Sequence, residues 1–175
     1  MKKMKSFGMM MILVAIVFTA CNNDDENSEN TIEGTYSGIL TNKSATGTII
    51  GTGNATADIS KTSDGLIQVH CFGTGIDTTF MLNYFPDNDS VFVCLTGNDF
   101  RNTYGHMMGQ GHMMGGMMGD IKPGQTQWQH HMADEHKPGD IHYGGFDMMN
   151  HSFGYTFHKN NGSSHMIMNF EGTKK

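Results

Sequence analysis

An all-β domain, an antiparallel barrel of eight strands, is the fold class that this 175-residue sequence predicts. Three observations carry that expectation. Beyond residue 31 the chain breaks into short β-prone runs separated by Gly, Asn and Asp, and apolar residues alternate with polar ones inside those runs. No run keeps a period-3.6 apolar stripe long enough for a substantial helix. At 37% hydrophobic and 16% charged, the chain supports one domain with a real core and is short for two.

The first element is an address. Lys2, Lys3 and Lys5 form a basic start, and an apolar run follows from Met9 to Phe18. Ten residues at about 1.5 Å each cover roughly half of the ~30 Å hydrocarbon core, so residues 1–20 are expected to be a signal peptide rather than a permanent span. Phe18-Thr19-Ala20-Cys21 resembles a bacterial lipobox, in which small residues precede a cysteine that is acylated and becomes the new N-terminus; Phe18 stands where Leu is usual. The resemblance implies lipidation at Cys21 and anchoring to the outer membrane of a Gram-negative bacterium, on the periplasmic or cell-surface side. Residues 21–30 carry Asp24, Asp25, Glu26 and Glu29 among Asn and Ser and read as an acidic, flexible tether. Their acidic cluster is similar to the signal that exports some lipoproteins to the cell surface, and ordinary spacers share it.

Residues 31–175 are the single folded domain. Strands are expected near 32–41, 46–60, 66–72, 78–85 and 90–96, then, after a long interruption, at 141–148, 151–158 and 164–172. Asp64-Gly65 and Asp87-Asn88-Asp89 supply turns. Alternation assigns the inward faces: Ile67, Val69 and Cys71; Phe80, Leu82 and Tyr84; Val91, Val93 and Leu95; Met166, Met168 and Phe170. Eight strands close a small barrel.

Gly34-Thr35-Tyr36-Ser37-Gly38, with the up-and-down spacing, resembles the lipocalin or calycin-like barrels of bacterial lipoproteins over residues 31–96 and 141–173, with Tyr36 where their first strand has Trp. A two-sheet sandwich is the alternative. Cys71 and Cys94 would gain about 3 kcal/mol from a disulfide's loop closure, but in a meander they lie two spacings of about 4.8 Å apart, beyond its ~7 Å reach. Buried free thiols are expected, with a disulfide or metal ligation as the other readings.

The interruption, residues 104–140, is a Met/His/Gly-rich loop inserted between strands five and six. His-Met-Met-Gly-x-x begins at His106 and again at His112, and Met117-Met118-Gly119 echoes it. Clustered Met would ordinarily be core. Here Gly at 105, 109, 111, 115, 116 and 119 removes both helix and strand propensity, so no continuous apolar face forms. Thioethers are soft, uncharged ligands suited to Cu(I) and Ag(I), whereas imidazole suits Cu(II) and Zn. Met107, Met108, Met113, Met114, Met117 and Met118, with His106 and His112, are the candidate soft ligands. The stretch resembles the Met- and His-rich segments of periplasmic copper- and silver-resistance proteins; that likeness implies Cu(I)/Ag(I) binding and a Trp, here Trp128, stacked on the ion.

Lys122-Pro123-Gly124 and Lys137-Pro138-Gly139 bracket the loop's second half. It holds further candidate ligands in His130, His131, Met132 and His136. A short helix there would set Trp128, His131 and Met132 on one side and place His131 and Glu135 at i and i+4, able to ligate a harder ion. The alternative is a helical plug over the barrel mouth with solvated His.

Net charge is -6, and -9 once the three N-terminal lysines are set aside, which argues against nucleic acid as a partner. The chain has no Gly-x-Ser-x-Gly, His-Glu-x-x-His, Cys-x-x-Cys or Gly-x-Gly-x-x-Gly, so no enzyme is expected. The expected function is lipid-anchored binding of Cu(I) or Ag(I) for sequestration or transfer, with Cu(II) or Zn held through His and a metal-handling protein as partner. A calycin-like carrier of a small apolar ligand with the loop as lid, or a Met-based oxidant sink, are the alternatives.

Overall fold

A computed structural model describes residues 31–107, 121–161 and 164–175. The expected signal peptide, the tether with Cys21, and Met108, His112, Met113, Met114, Met117 and Met118 lie outside them. The eight strands are β1 (Gly34–Ser44), β2 (Ile49–Ser63), β3 (Leu66–Gly73), β4 (Ile76–Asp87), β5 (Ser90–Leu95), β6 (Gly144–Asp147), β7 (Ser152–Asn161) and β8 (Ser164–Lys174). Each pairs antiparallel with the next, and β8 returns to β1, so the sheet closes as a barrel and is not a sandwich.

The inward alternation read from the sequence is the alternation observed. Ile67, Val69, Cys71, Leu82, Val91, Val93, Met168 and Phe170 are buried in one core, with Phe80, Tyr84, Leu95 and Met166 packed against it. Tyr36 joins Phe146 and Phe153 edge to face, and its hydroxyl donates to Ile32 O at 3.1 Å. Both Cys71 and Cys94 are free, and they occupy opposite faces of the barrel wall: Cys71 sits in the interior core, Cys94 in a second cluster outside it with Phe85 and Phe100.

Two helices between β5 and β6, α1 (Gly97–Tyr104) and α2 (Gln127–Glu135), cover that outer cluster. The sequence hides α1 because Phe100 is its one buried residue, too few to show a period. The strand expected at 141–148 is shorter. Pairing of β5 with β6 runs only from Ser90↔Asp147 to Phe92↔Gly145, so residues 141–143 are not paired with β5, although Tyr143 O still accepts from Thr156 N of β7 at 2.7 Å, and Val93–Leu95 lack a β6 partner. The outer wall beside Cys94 is therefore open to the inserted segment.

Candidate metal centre

Local sequence rules place the ligands around that opening. Lys122-Pro123-Gly124 and Lys137-Pro138-Gly139 each make a tight turn, with Gln125 N donating to Lys122 O at 2.9 Å and Asp140 N to Lys137 O at 3.1 Å. Pro fixes φ at the second position, and Gly124 (φ 83°) and Gly139 (φ 96°) take the left-handed conformation that the third requires. Between the turns, α2 starts on a capping box: Thr126 accepts from Gln129 N, and the Gln129 side chain accepts from Thr126 N. The helix lies against the outer face of β4 rather than over the barrel mouth, with Trp128 and His131 both on Phe85. His131 is fully buried, contrary to a solvated plug.

Cys94 Sγ and one ring nitrogen each of His131 and His136 converge within 4.8 Å of one another and could hold a metal ion. Sγ lies 3.5 Å from His136 Nε2, and the two Nε2 atoms are 2.9 Å apart. Around a tetrahedral ion, bond lengths of about 2.0–2.1 Å to N and 2.3 Å to S set S···N near 3.6 Å and N···N near 3.3 Å. The first separation matches, and the second needs the rings to part by about 0.4 Å.

The remaining ring nitrogens are held by carboxylates. His131 Nδ1 is paired with the buried Glu135, one helical turn on. His136 Nδ1 lies 3.2 Å from Asp140 Oδ2. This carboxylate–imidazole arrangement fixes ring orientation and leaves Nε2 to ligate. Asp140 also accepts from Lys137 N at 2.8 Å and contacts His106 Nε2 at 2.7 Å. Burial opposes ionisation of Asp140, but the Lys137 amide, His106 and His136 together hold its pKa down at about 2.

Burial pushes the Cys94 thiol up to about 12, despite a hydrogen bond to Tyr104 Oη at 3.8 Å. The His136 pKa is lowered, by burial first and then by His131. A cation would reverse the thiol's preference, because thiolate is the form that ligates. Phe85, Phe100, Tyr104 and Trp128 enclose the three ligands and limit water.

Of the residues singled out in the sequence, His131 and His136 meet. His106 stands one step away, through Asp140. His130 is buried but faces Asp134 at 3.2 Å, Met132 is half-buried on α2, and Met107 is exposed. Trp128 packs on His131 (5.4 Å between ring centroids) and on His142 (4.5 Å). In the sequence Cys94 reads as a strand residue with metal ligation only as a lesser reading, since nothing in its spacing links it to His131 37 residues later. Its outward place, opposite in parity to Val93 and Leu95, is the available signal.

A closed eight-stranded antiparallel barrel with a buried Cys/His/His cluster on its outer wall is the class of protein that fold and site define. No family model, no curated protein and no solved structure matches the chain.

Proposed function

We propose that this protein is a lipid-anchored, extracytoplasmic binder of the soft ions Cu(I) and Ag(I) that sequesters them or passes them to a metal-handling partner. The observation that carries the reading is the buried convergence of Cys94, His131 and His136, with carboxylates behind both imidazoles. One thiolate and two imidazoles in an apolar shell suit copper. The Met pairs of the preceding segment supply thioethers in number, and thioethers need no deprotonation, so capture by them persists in acid. Redundant ligands favour storage or transfer over catalysis, which needs one fixed geometry. The lipobox-like Phe18-Thr19-Ala20-Cys21 supports anchoring outside the cytoplasm, where Met, unlike a thiol, is not consumed by disulfide formation.

The test is a Cu(I) titration against a competing chelator under reductant. Variants are Cys94→Ser, and a six-site variant with Leu at 107, 108, 113, 114, 117 and 118. Tight binding weakened in both supports the reading; equal or absent binding in all three proteins defeats it. A second reading, a calycin-like carrier, draws on a cavity of about 520 Å³ at the α1 end of the barrel, lined by Phe80, Leu95, Tyr143, Tyr155 and Phe157 among others. Retention of a fluorescent apolar probe, displaced by Phe80→Trp, would favour it.

A further inference from the structure

We propose that His142 is the fourth ligand of this centre, closing a shell of one cysteine and three histidines that also takes a first-row divalent ion of borderline softness, Cu2+ or Zn2+. The inference rests on the reading that Cys94, His131 and His136 hold an ion.

Three observations carry it. Both ring nitrogens of His142 are sealed from solvent and have no hydrogen-bond partner among the described residues. A neutral imidazole offers one donor and one acceptor, and each left unmet in a buried place is destabilising. Ligation meets the acceptor directly.

The second observation is the position of the ring. The centroids of His131, His136 and His142 form a triangle with sides of 4.6, 4.3 and 6.4 Å. The in-plane point equidistant from all three lies about 3.2 Å from each, about the distance from an imidazole centroid to an ion bound at ~2.0–2.1 Å by its nitrogen. It falls nearly on the line from His131 to His142, and only Cys94, His131 and His136 already have ligand atoms within 4.8 Å of one another, so His142 completes a tetrahedral shell by swinging in toward them.

The third is how the ring is held. Trp128 packs edge to face on it at 4.5 Å, and Tyr104 lies 5.9 Å away. His142 sits in the three residues before β6 that do not pair with β5, so the early end of β5–β6 pairing delivers it to the Cys94 face. Had the strand continued to residue 141 as its alternation suggests, no fourth imidazole would reach the cluster.

Three imidazoles and one thiolate form a set of the Cys/His kind that binds Zn2+ in closed four-coordinate sites and serves Cu2+ as well. With all four positions filled by protein, no place is left for an activated water. The centre then retains its ion and ties the helical insertion to the barrel wall.

The experiment uses Co2+ as probe, with the full-length protein purified in detergent and stripped by chelator. Wild type is expected to show the intense visible bands of four-coordinate tetrahedral Co2+ and a near-ultraviolet thiolate-to-cobalt band, with X-ray absorption counting three imidazoles and one sulfur. His142→Gly is expected to keep the thiolate band, lose the tetrahedral intensity and bind roughly 100-fold more weakly, since losing even an outer-shell partner costs 10–100-fold. Added imidazole should restore the spectrum, which a packing role for His142 would not allow. A thiolate band with only two imidazoles in wild type, or an unchanged His142→Gly spectrum, overturns His142 as ligand and leaves the three-residue cluster standing. No thiolate band in wild type overturns both readings, and the wild-type count does not depend on whether the variant folds.

Discussion

His131 and His136 face each other through their Nε2 atoms at 2.9 Å, while Glu135 and Asp140 hold the far side of each ring. Two bare lone pairs at that distance repel, so either one nitrogen carries a proton or a cation stands between them. Neither His is placed by packing alone. His131 is fixed by an i, i+4 carboxylate in the helix, and His136, just past the helix end, by the turn that presents Asp140. The site is a product of short-range sequence rules acting beside an opening in the barrel wall.

Removing a carboxylate should therefore weaken metal binding without removing a ligand. Glu135→Gln keeps the shape and lowers the acceptor strength behind His131, and a 10–100-fold loss of affinity is expected. Competition titration against a chelator measures it. Affinity equal to wild type would show that Glu135 has no part in orienting the ring.

The thiols give a second handle. Burial pushes Cys94 up to about 12 and Cys71 up to about 11, so both stay protonated at pH 8. Alkylation of the native, metal-free protein is expected to be slow and to speed up only on unfolding. Phe100→Ala should change this for Cys94 alone. Phe100 is fully buried against Phe85 and Cys94, and its truncation should cost about 3–5 kcal/mol in denaturant unfolding. Rapid labelling of Cys94 but not Cys71 is expected in that variant, since Cys71 lies inside the barrel.

Much of the barrel was legible because its signal is local. Period-two alternation in β3, β4, β5 and β8 named the inward residues directly, since a one-residue slip would turn each set out to solvent. The site was legible only in part. His131 and Glu135 share a helix face and could be paired from spacing, but Cys94 and Asp140 join through the closure of the sheet and a turn that brackets the helix. His142 was obscured by the same alternation that made the strands readable, because β6 begins later than its pattern suggests. The early stop comes from partners: β5 pairs only as far as Phe92↔Gly145, and no property of residues 141–143 themselves announces that.

The turn between β6 and β7 carries a pH dependence of definite sign. Asn150, through its side chain and backbone amide, and Met149 N donate to the Asp147 carboxylate, holding its pKa below the ordinary value. A depressed carboxyl stabilises the fold fully above its unfolded pKa of about 3.9, and the contribution is lost as pH falls through the lower folded value. Asp147→Asn should reduce stability at neutral pH, and the difference from wild type should vanish in acid. Melting curves across that range measure it, and a difference independent of pH would assign the effect to the turn's shape rather than to its charge.

The closing seam of the barrel offers the sharpest steric test. Gly38 on β1 faces Gly172 on β8, and a β-carbon at Gly38 would lie 1.9 Å from Glu171 O and 2.4 Å from Gly172 Cα. Those are backbone atoms of the paired strand, which cannot swing aside as a side chain would. Gly38→Ala must therefore push β1 from β8, and overpacking of this kind costs about 1–3 kcal/mol where the structure can still adjust. Gly154 on β7 is the control, because its added β-carbon would meet nothing nearer than Phe170 O at 3.7 Å, an ordinary contact. Gly154→Ala should be tolerated. Gly38→Ala should lower the melting temperature and raise amide exchange along β1 and β8 first, since an opened seam exposes that ladder before the others. Equal stability of the two variants would mean that the barrel is not closed through the β1–β8 register.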